Sequence, residues 1–239
     1  MTEIRTAVPQ EVDDYLDALV RKGIFANKAE LVRAALVNYV NLTGTFFRGF
    51  DAENIFAPDG RLYQLEYARE AALRGGTAVG IVCEDGVLLA AEASARSKLV
   101  KSVRKIVPLG DRLAVAASGL VGDMWLVVEE LKAASPKSTD DAVKAVRSVL
   151  HRQTLQRTQR PLGVALLVAS LLDRRPRLVE VDPSGATIES LAAALGRGSA
   201  AALKVLEERY RKMRLSEAER LVPLLLGRDV PSEVVRVQP

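Results

Sequence analysis

Cysteine and histidine are nearly missing from this chain of 239 residues, which holds one of each. A single cysteine, Cys83, excludes an internal disulfide. It lies inside the apolar run AVGIVCE, where a small buried hydrophobe is expected. The lone His151 sits in a polar helical stretch without metal partners, so it reads as a surface residue, and neither a metal nor a cofactor is expected. Aromatic residues make up only 5% of the chain, which leaves Ala, Val and Leu to fill the core. No run of about 18 apolar residues occurs and the first residues lack an apolar leader segment, so a cytoplasmic chain with no membrane partner is expected.

Apolar residues are plentiful at 49%, and charged residues stand at an ordinary 27%. That is enough for one large domain, or for a large domain with a small one. The net charge of +4 is unevenly spread. Residues 1–45 hold five basic side chains against six acidic ones, 5 − 6 = −1, so the remainder carries +5. The basic balance belongs to the larger segment.

Residues 2–8, TEIRTAV, alternate in the manner of a short half-buried strand, and Pro9 ends it. Val12, Tyr15, Leu16, Leu19 and Val20 recur at helical spacing up to Gly23. Asn27 is a good N-cap, with Glu30 three residues on to complete a capping box. Leu31, Val32, Ala35, Leu36 and Tyr39 form the stripe of a second helix. So short a segment cannot bury this much apolar surface alone and should pair or dock. Over residues 2–41 the order resembles the ribbon-helix-helix family. That resemblance implies two chains pairing their strands, and it sets Glu3, Arg5 and Ala7 at the positions that enter the DNA major groove. Asn27 and Lys28 are further candidate DNA contacts. A segment of charge −1 lacks the attraction that supplies most nucleic-acid affinity, so pairing or docking is the expected role and DNA contact the alternative. Residues 42–49 read as a linker, and Phe46, Phe47 and Phe50 suit it to docking on a surface.

From residue 77 the pattern changes. TAVGIVCE and GVLLAAEAS are expected to be strands across an Asp85-Gly86 turn. RKIVPL and DRLAVAAS form a second pair across Gly110-Asp111. Helices are expected at 61–73, with Leu62, Leu65, Ala68 and Leu73 along one side, and at 121–134 and 140–157. The run VALLVAS at 164–170 suits a buried strand. PRLVEVD and ATIESLAA flank the turn DPSG. Helices at 199–213 and 217–226 follow, the second capped by Ser216 with Glu219 and with a kink expected at Pro223. EVVRV is the last strand. The order suggests stacked sheets with helices on both faces.

The stretch FDAENIFAPDGRLYQLEYAREAALRGGTAVGI resembles the N-terminal signature of proteasome α-type subunits. SKL at 97–99, SGLVGD at 118–123, RPLGVALLVA at 160–169 and DPSGA at 182–186 follow in that family's order. Over residues 50–239 the resemblance implies an α+β chain with the N-terminal-nucleophile hydrolase fold, an αββα sandwich, built into rings of like subunits stacked on β-type subunits. In catalytic β-type chains a threonine lies four positions before the glycine of Thr-x-x-Val-Gly. Counted back from Gly80, that place holds Gly76, and Thr77 is one position too late. Glu92 and Lys105 match the supporting acid and lysine. Glycine has no side chain to attack with, and an uncut chain has no α-amino base beside Thr77. The resemblance therefore implies a non-catalytic subunit that admits unfolded polypeptide, with an active hydrolase using Thr77 as the lesser reading. It also sets Lys105, Gly119 and Leu120 at a pocket for the C-terminal tail of an activator ATPase, the lysine pairing with the tail carboxylate. The gate residues match Phe50, Asp51, Pro58 and Tyr67, but the family's opening Tyr-Asp-Arg is here Phe50-Asp51-Ala52.

Overall fold

The computed structural model describes residues 7–43, 53–57, 59–93, 99 and 104–239. The expected strand at 2–8 falls mostly outside them. The chain forms two compact units, Met1–Gly49 and Phe50–Pro239. Among the described residues no helix is long and apolar enough to cross a membrane.

In the first unit, α1 (Gln10–Arg21) starts after Pro9, and Gly23 follows it with φ +70°. That left-handed conformation costs glycine little, so the chain turns there. Asn27 opens α2 (Lys28–Thr43) by accepting from the Glu30 N–H at 2.8 Å. The Glu30 carboxylate reaches back to the Ala26 N–H at 2.8 Å, one residue further than a strict capping box. α2 runs two residues into the stretch read as linker, because Gly44 is the first breaker there. Lys28 lies 2.7 Å from Asp13 and 2.9 Å from Asp17, tying the two helices together. Among the described residues of this unit only Leu31 is buried; Val32 and Leu36 of the expected stripe face solvent.

The second unit is a four-layered sandwich. Its elements are α3 (Tyr63–Leu73), β1 (Ala78–Cys83), β2 (Gly86–Glu92), β3 (Ile106–Pro108), β4 (Leu113–Gly119), α4 (Val121–Ala134), α5 (Thr139–Thr154), β5 (Val164–Ser170), β6 (Arg177–Val181), β7 (Thr187–Glu189), β8 (Ala192–Leu195), α6 (Ser199–Arg209), α7 (Leu215–Leu226) and β9 (Ser232–Val237). The strands form antiparallel sheets of order β8-β1-β2-β9 and β3-β4-β5-β6-β7. β5 shows why the layers stack. Val164, Leu166 and Val168 pack with Met124, Val127, Val146 and Leu150 of α4 and α5. The alternate residues Ala165, Leu167 and Ala169 pack with Leu89, Ile106 and Leu178 between the sheets. A strand apolar on both faces must be covered on both. Beyond the four-stranded sheet, Ile81 and Leu88 pack with Leu206, Val222 and Leu225 of α6 and α7.

Several local expectations are corrected. Cys83 pairs with Gly86, so Glu84 and Asp85 are the loop residues. Asp85 is thereby free to accept from the Leu215 N–H at 2.8 Å, and this carboxylate caps α7 in place of Ser216. ATIESLAA is two strands: β7 pairs with β6, the chain crosses at Ser190-Leu191, and β8 pairs with β1 in the other sheet. α5 begins at a Ser138–Asp141 capping box and stops at Thr154. α3 buries Ala68 and Ala72, while Leu73 is exposed. Pro223 lies inside α7 without ending it.

Asp123 fastens the start of α4 to the entry of β5. It accepts two bonds from Arg160, at 2.7 and 2.8 Å, and one from the Gly163 N–H at 2.8 Å. Burial disfavours its charge, but the Arg160 guanidinium and the Gly163 N–H outweigh that, and the carboxyl titrates below its usual range. A depressed value adds stability above the unfolded carboxylate value of about 3.8 that is lost as pH falls through the lower folded value. Asp123→Asn should therefore cost about 1–2 kcal/mol at pH 7, discounted for the exposed Arg160. Urea unfolding should show that difference shrinking below pH 4.

Candidate functional site

The candidate site gathers where the loop after α3 enters β1. Thr77 is 1% exposed and its hydroxyl donates to Glu92 Oε1 at 2.7 Å. The Glu92 N–H donates to the Thr77 carbonyl at 2.9 Å, so backbone and side chain hold the pair together. Glu92, 7% exposed, takes its second contact from Arg197, 2.6 Å from Oε2. The Arg197 N–H in turn donates to the Gly75 carbonyl at 3.0 Å. The Thr77 hydroxyl and both Glu92 carboxylate oxygens thus have partners, as burial demands. A hydroxyl this enclosed cannot meet a polypeptide.

Gly76 is the tightest point. A Cβ built on it would lie 1.9 Å from Lys105 Nζ and 2.9 Å from Glu92 Oε2. The ammonium thus fills the space that a side chain at 76 would take. Burial depresses the Lys105 pKa and the nearby Arg197 adds to this, while Glu92 opposes it. Ser118 donates its hydroxyl to the Ala72 carbonyl at 2.9 Å, with the Gly76 carbonyl 3.1 Å away as a second acceptor.

Beside this corner Tyr67, Glu70 and Ala71 of α3 and Arg74 at its C-cap line a cavity of about 510 Å³ with Gly75, Gly119 and Leu120. Gly119 has φ +119°, and a Cβ there would come 2.1 Å from the Gly163 carbonyl oxygen, so the wall admits only glycine. Leu120 is half exposed at the rim. The structure therefore brings Gly119, Leu120 and Tyr67 together but turns the Lys105 ammonium to Gly76, away from the lining. Gly75 lines the cavity and Gly76 meets Lys105, so the positive charge stands one residue behind the wall. Glu70, Arg74 and Arg197 were not expected here. The helical register of α3 could have found the first two; nothing local to GRG at 196–198 marks Arg197.

The other candidates fare differently. Phe50, Asp51 and Pro58 lie outside the described residues, as do Glu3 and Arg5. Asn27 and Lys28, expected as possible DNA contacts, are engaged internally: Asn27 caps α2 and Lys28 is neutralised by Asp13 and Asp17.

Residues 72–228 match the family profile described as proteasome subunit, and residues 53–71 match the N-terminal signature of A-type proteasome subunits. Neither match includes residues 1–52. The chain is similar to the proteasome alpha subunit of Thermococcus sibiricus, 40% identical over 193 residues, which is 75% of this chain and 74% of that one. It is 42% identical over 171 residues to the proteasome alpha subunit of Methanocaldococcus jannaschii, covering 67% of this chain and 66% of that one. The proteasome alpha subunit of Methanoregula boonei is 44% identical over 174 residues, 68% of this chain and 72% of its own.

The geometry gives Thr77 a structural task. Thr77→Val leaves one oxygen of buried Glu92 without its donor and should cost about 1–3 kcal/mol. Thr77→Ser keeps the donor and should retain most of that stability in urea unfolding.

Proposed function

Because this chain belongs to the proteasome subunit family and carries its α-type signature, we propose that it builds the non-catalytic outer wall of a protein-degrading particle. Copies of the chain would form a ring, β-type subunits would stack beneath it, and unfolded polypeptide would pass through the ring to active threonines on those partners. Confinement is the mechanism: the wall decides what reaches the chamber and contributes no peptide-bond chemistry. One observation carries the reading. At Gly76, the place that the family resemblance assigns to the nucleophile, there is no hydroxyl, and the Lys105 ammonium occupies the space. Thr77, the nearest hydroxyl, is enclosed and bonded to Glu92. The setting in this reading is cytoplasmic.

The cavity of Tyr67, Gly119 and Leu120 suits the C-terminal tail of an activator ATPase. Leu120 offers apolar contact, and Arg74 at the lining, held 2.9 Å from Glu70, is the cation that would take a terminal carboxylate. Phe50, Asp51, Pro58 and Tyr67 would border the entrance. The absence of the family's tyrosine and arginine at 50 and 52 implies that entry is controlled by other means. DNA contact finds no favourable observation, since Lys28 is already paired.

The purified chain alone should leave unfolded casein intact. Hydrolysis that disappears in Thr77→Ala would contradict the reading. A peptide with the sequence of an ATPase tail and a free terminal carboxylate should bind the assembled chain at least about tenfold more tightly than its C-terminal amide. Leu120→Asp should remove that preference; equal binding of acid and amide would exclude the pocket role.

A further inference from the structure

Among the described residues that line the cavity beside α3, charge is confined to Glu70 and Arg74. Tyr67, Glu70, Ala71 and Arg74 stand at helical positions i, i+3, i+4 and i+7, so one face of α3 and its C-cap runs along the cavity. Arg74 Nε donates to Glu70 Oε1 at 2.9 Å, and the Arg74 N–H donates to the Glu70 carbonyl at 3.0 Å. Side chain and backbone thus hold the two residues together, although both side chains are more than half exposed. Among the described residues, Glu70 takes only the Nε–H of Arg74. Both Nη groups and the second carboxylate oxygen, Oε2, have no partner there. The pair therefore presents a forked donor and an acceptor next to each other. Its complement is a ligand with a carboxylate for the fork and a cation close by for Oε2.

Length sets where that cation belongs. Four helical residues place Glu70 about 6 Å from Arg74 along the axis. An extended peptide advances about 3.3 Å per residue. With a terminal carboxylate on Arg74, Glu70 stands beside the residue before the last. Two attractions then compete. The larger segment carries +5 and draws acidic peptides as a whole. That long-range attraction is screened beyond about 8 Å at physiological salt, whereas direct contact with Glu70 is not. At that salt the local carboxylate decides which side chain is accepted.

Resting on the tail-pocket reading above, we propose that Glu70 is the specificity-determining residue of this cavity. It selects a tail with a basic side chain, Lys or Arg, immediately before the terminal residue, and it rejects an acidic side chain there. Arg74 takes the terminal carboxylate and Glu70 takes the side-chain cation. The two residues act on different atoms of the ligand, so substitution separates their effects.

Fluorescence anisotropy with the assembled full chain at about 0.15 M salt tests this. The probes are short labelled peptides that end in leucine with a free carboxylate and differ only in the residue before it: Lys, Ala or Glu. The Lys peptide should bind about fivefold more tightly than the Glu peptide, with the Ala peptide between them. Glu70→Gln keeps an acceptor for Arg74 Nε, so it should level the three peptides and retain the preference for acid over amide. Glu70→Lys should reverse the order of the three. Arg74→Gln should remove the preference for acid over amide and keep Lys ahead of Glu. A Glu peptide that binds the wild type as tightly as the Lys peptide, or a Lys preference that survives Glu70→Gln, would overturn the selectivity and leave the tail pocket standing. Equal binding of the acid and amide forms of the Lys peptide would remove the pocket reading itself, and the selectivity with it.

Discussion

The contact on which the second unit turns is that of the Lys105 ammonium with the bare backbone of Gly76. A Cβ there would lie 1.9 Å from Nζ, and no real carbon approaches a nitrogen that closely without bonding to it. The lysine keeps its place only while residue 76 has no side chain. Glu92 is held by Thr77 and Arg197, and Thr77 is enclosed at the first step of β1. A constellation resembling a hydrolase centre thus serves as internal bracing, with the buried Thr77 and Glu92 oxygens engaged.

Packing explains why this corner is so well held. β5 buries both of its faces, with larger residues toward α4 and α5 and two alanines toward the second sheet. Small residues between the sheets let them approach closely, and Thr77 and Glu92 sit at the edge of that layer. The cavity beside it is walled by α3, whose Ala72 touches the inter-sheet core. The cavity is thereby mounted on rigid elements, beside an enclosed Thr77 hydroxyl.

Much of this was legible in the chain itself. VALLVAS announced a buried strand, Asn27 announced the start of α2, and α4 falls on the helix expected at 121–134. What escaped has a common physical cause: contacts distant in sequence. Asp85 caps α7 from 130 residues away. Arg197 reaches Glu92 across 105. The crossing at Ser190-Leu191 falls where the alternation of ATIESLAA lapses at Glu189-Ser190, but with neither Gly nor Pro there nothing marks a change of sheet. The significance of Gly76 came from family resemblance alone, because periodicity reads a glycine before a strand as a turn. Lys105 stood out by family resemblance, but whether it faced the cavity or the glycine depended on three-dimensional packing.

The most direct test of a closed-off centre is intact-mass spectrometry of the purified chain after treatment with a covalent inhibitor that reacts with catalytic threonines. The unmodified mass of 25.9 kDa is the result expected from the enclosed Thr77 and the side-chain-free Gly76. An adduct mapped to Thr77 would contradict it.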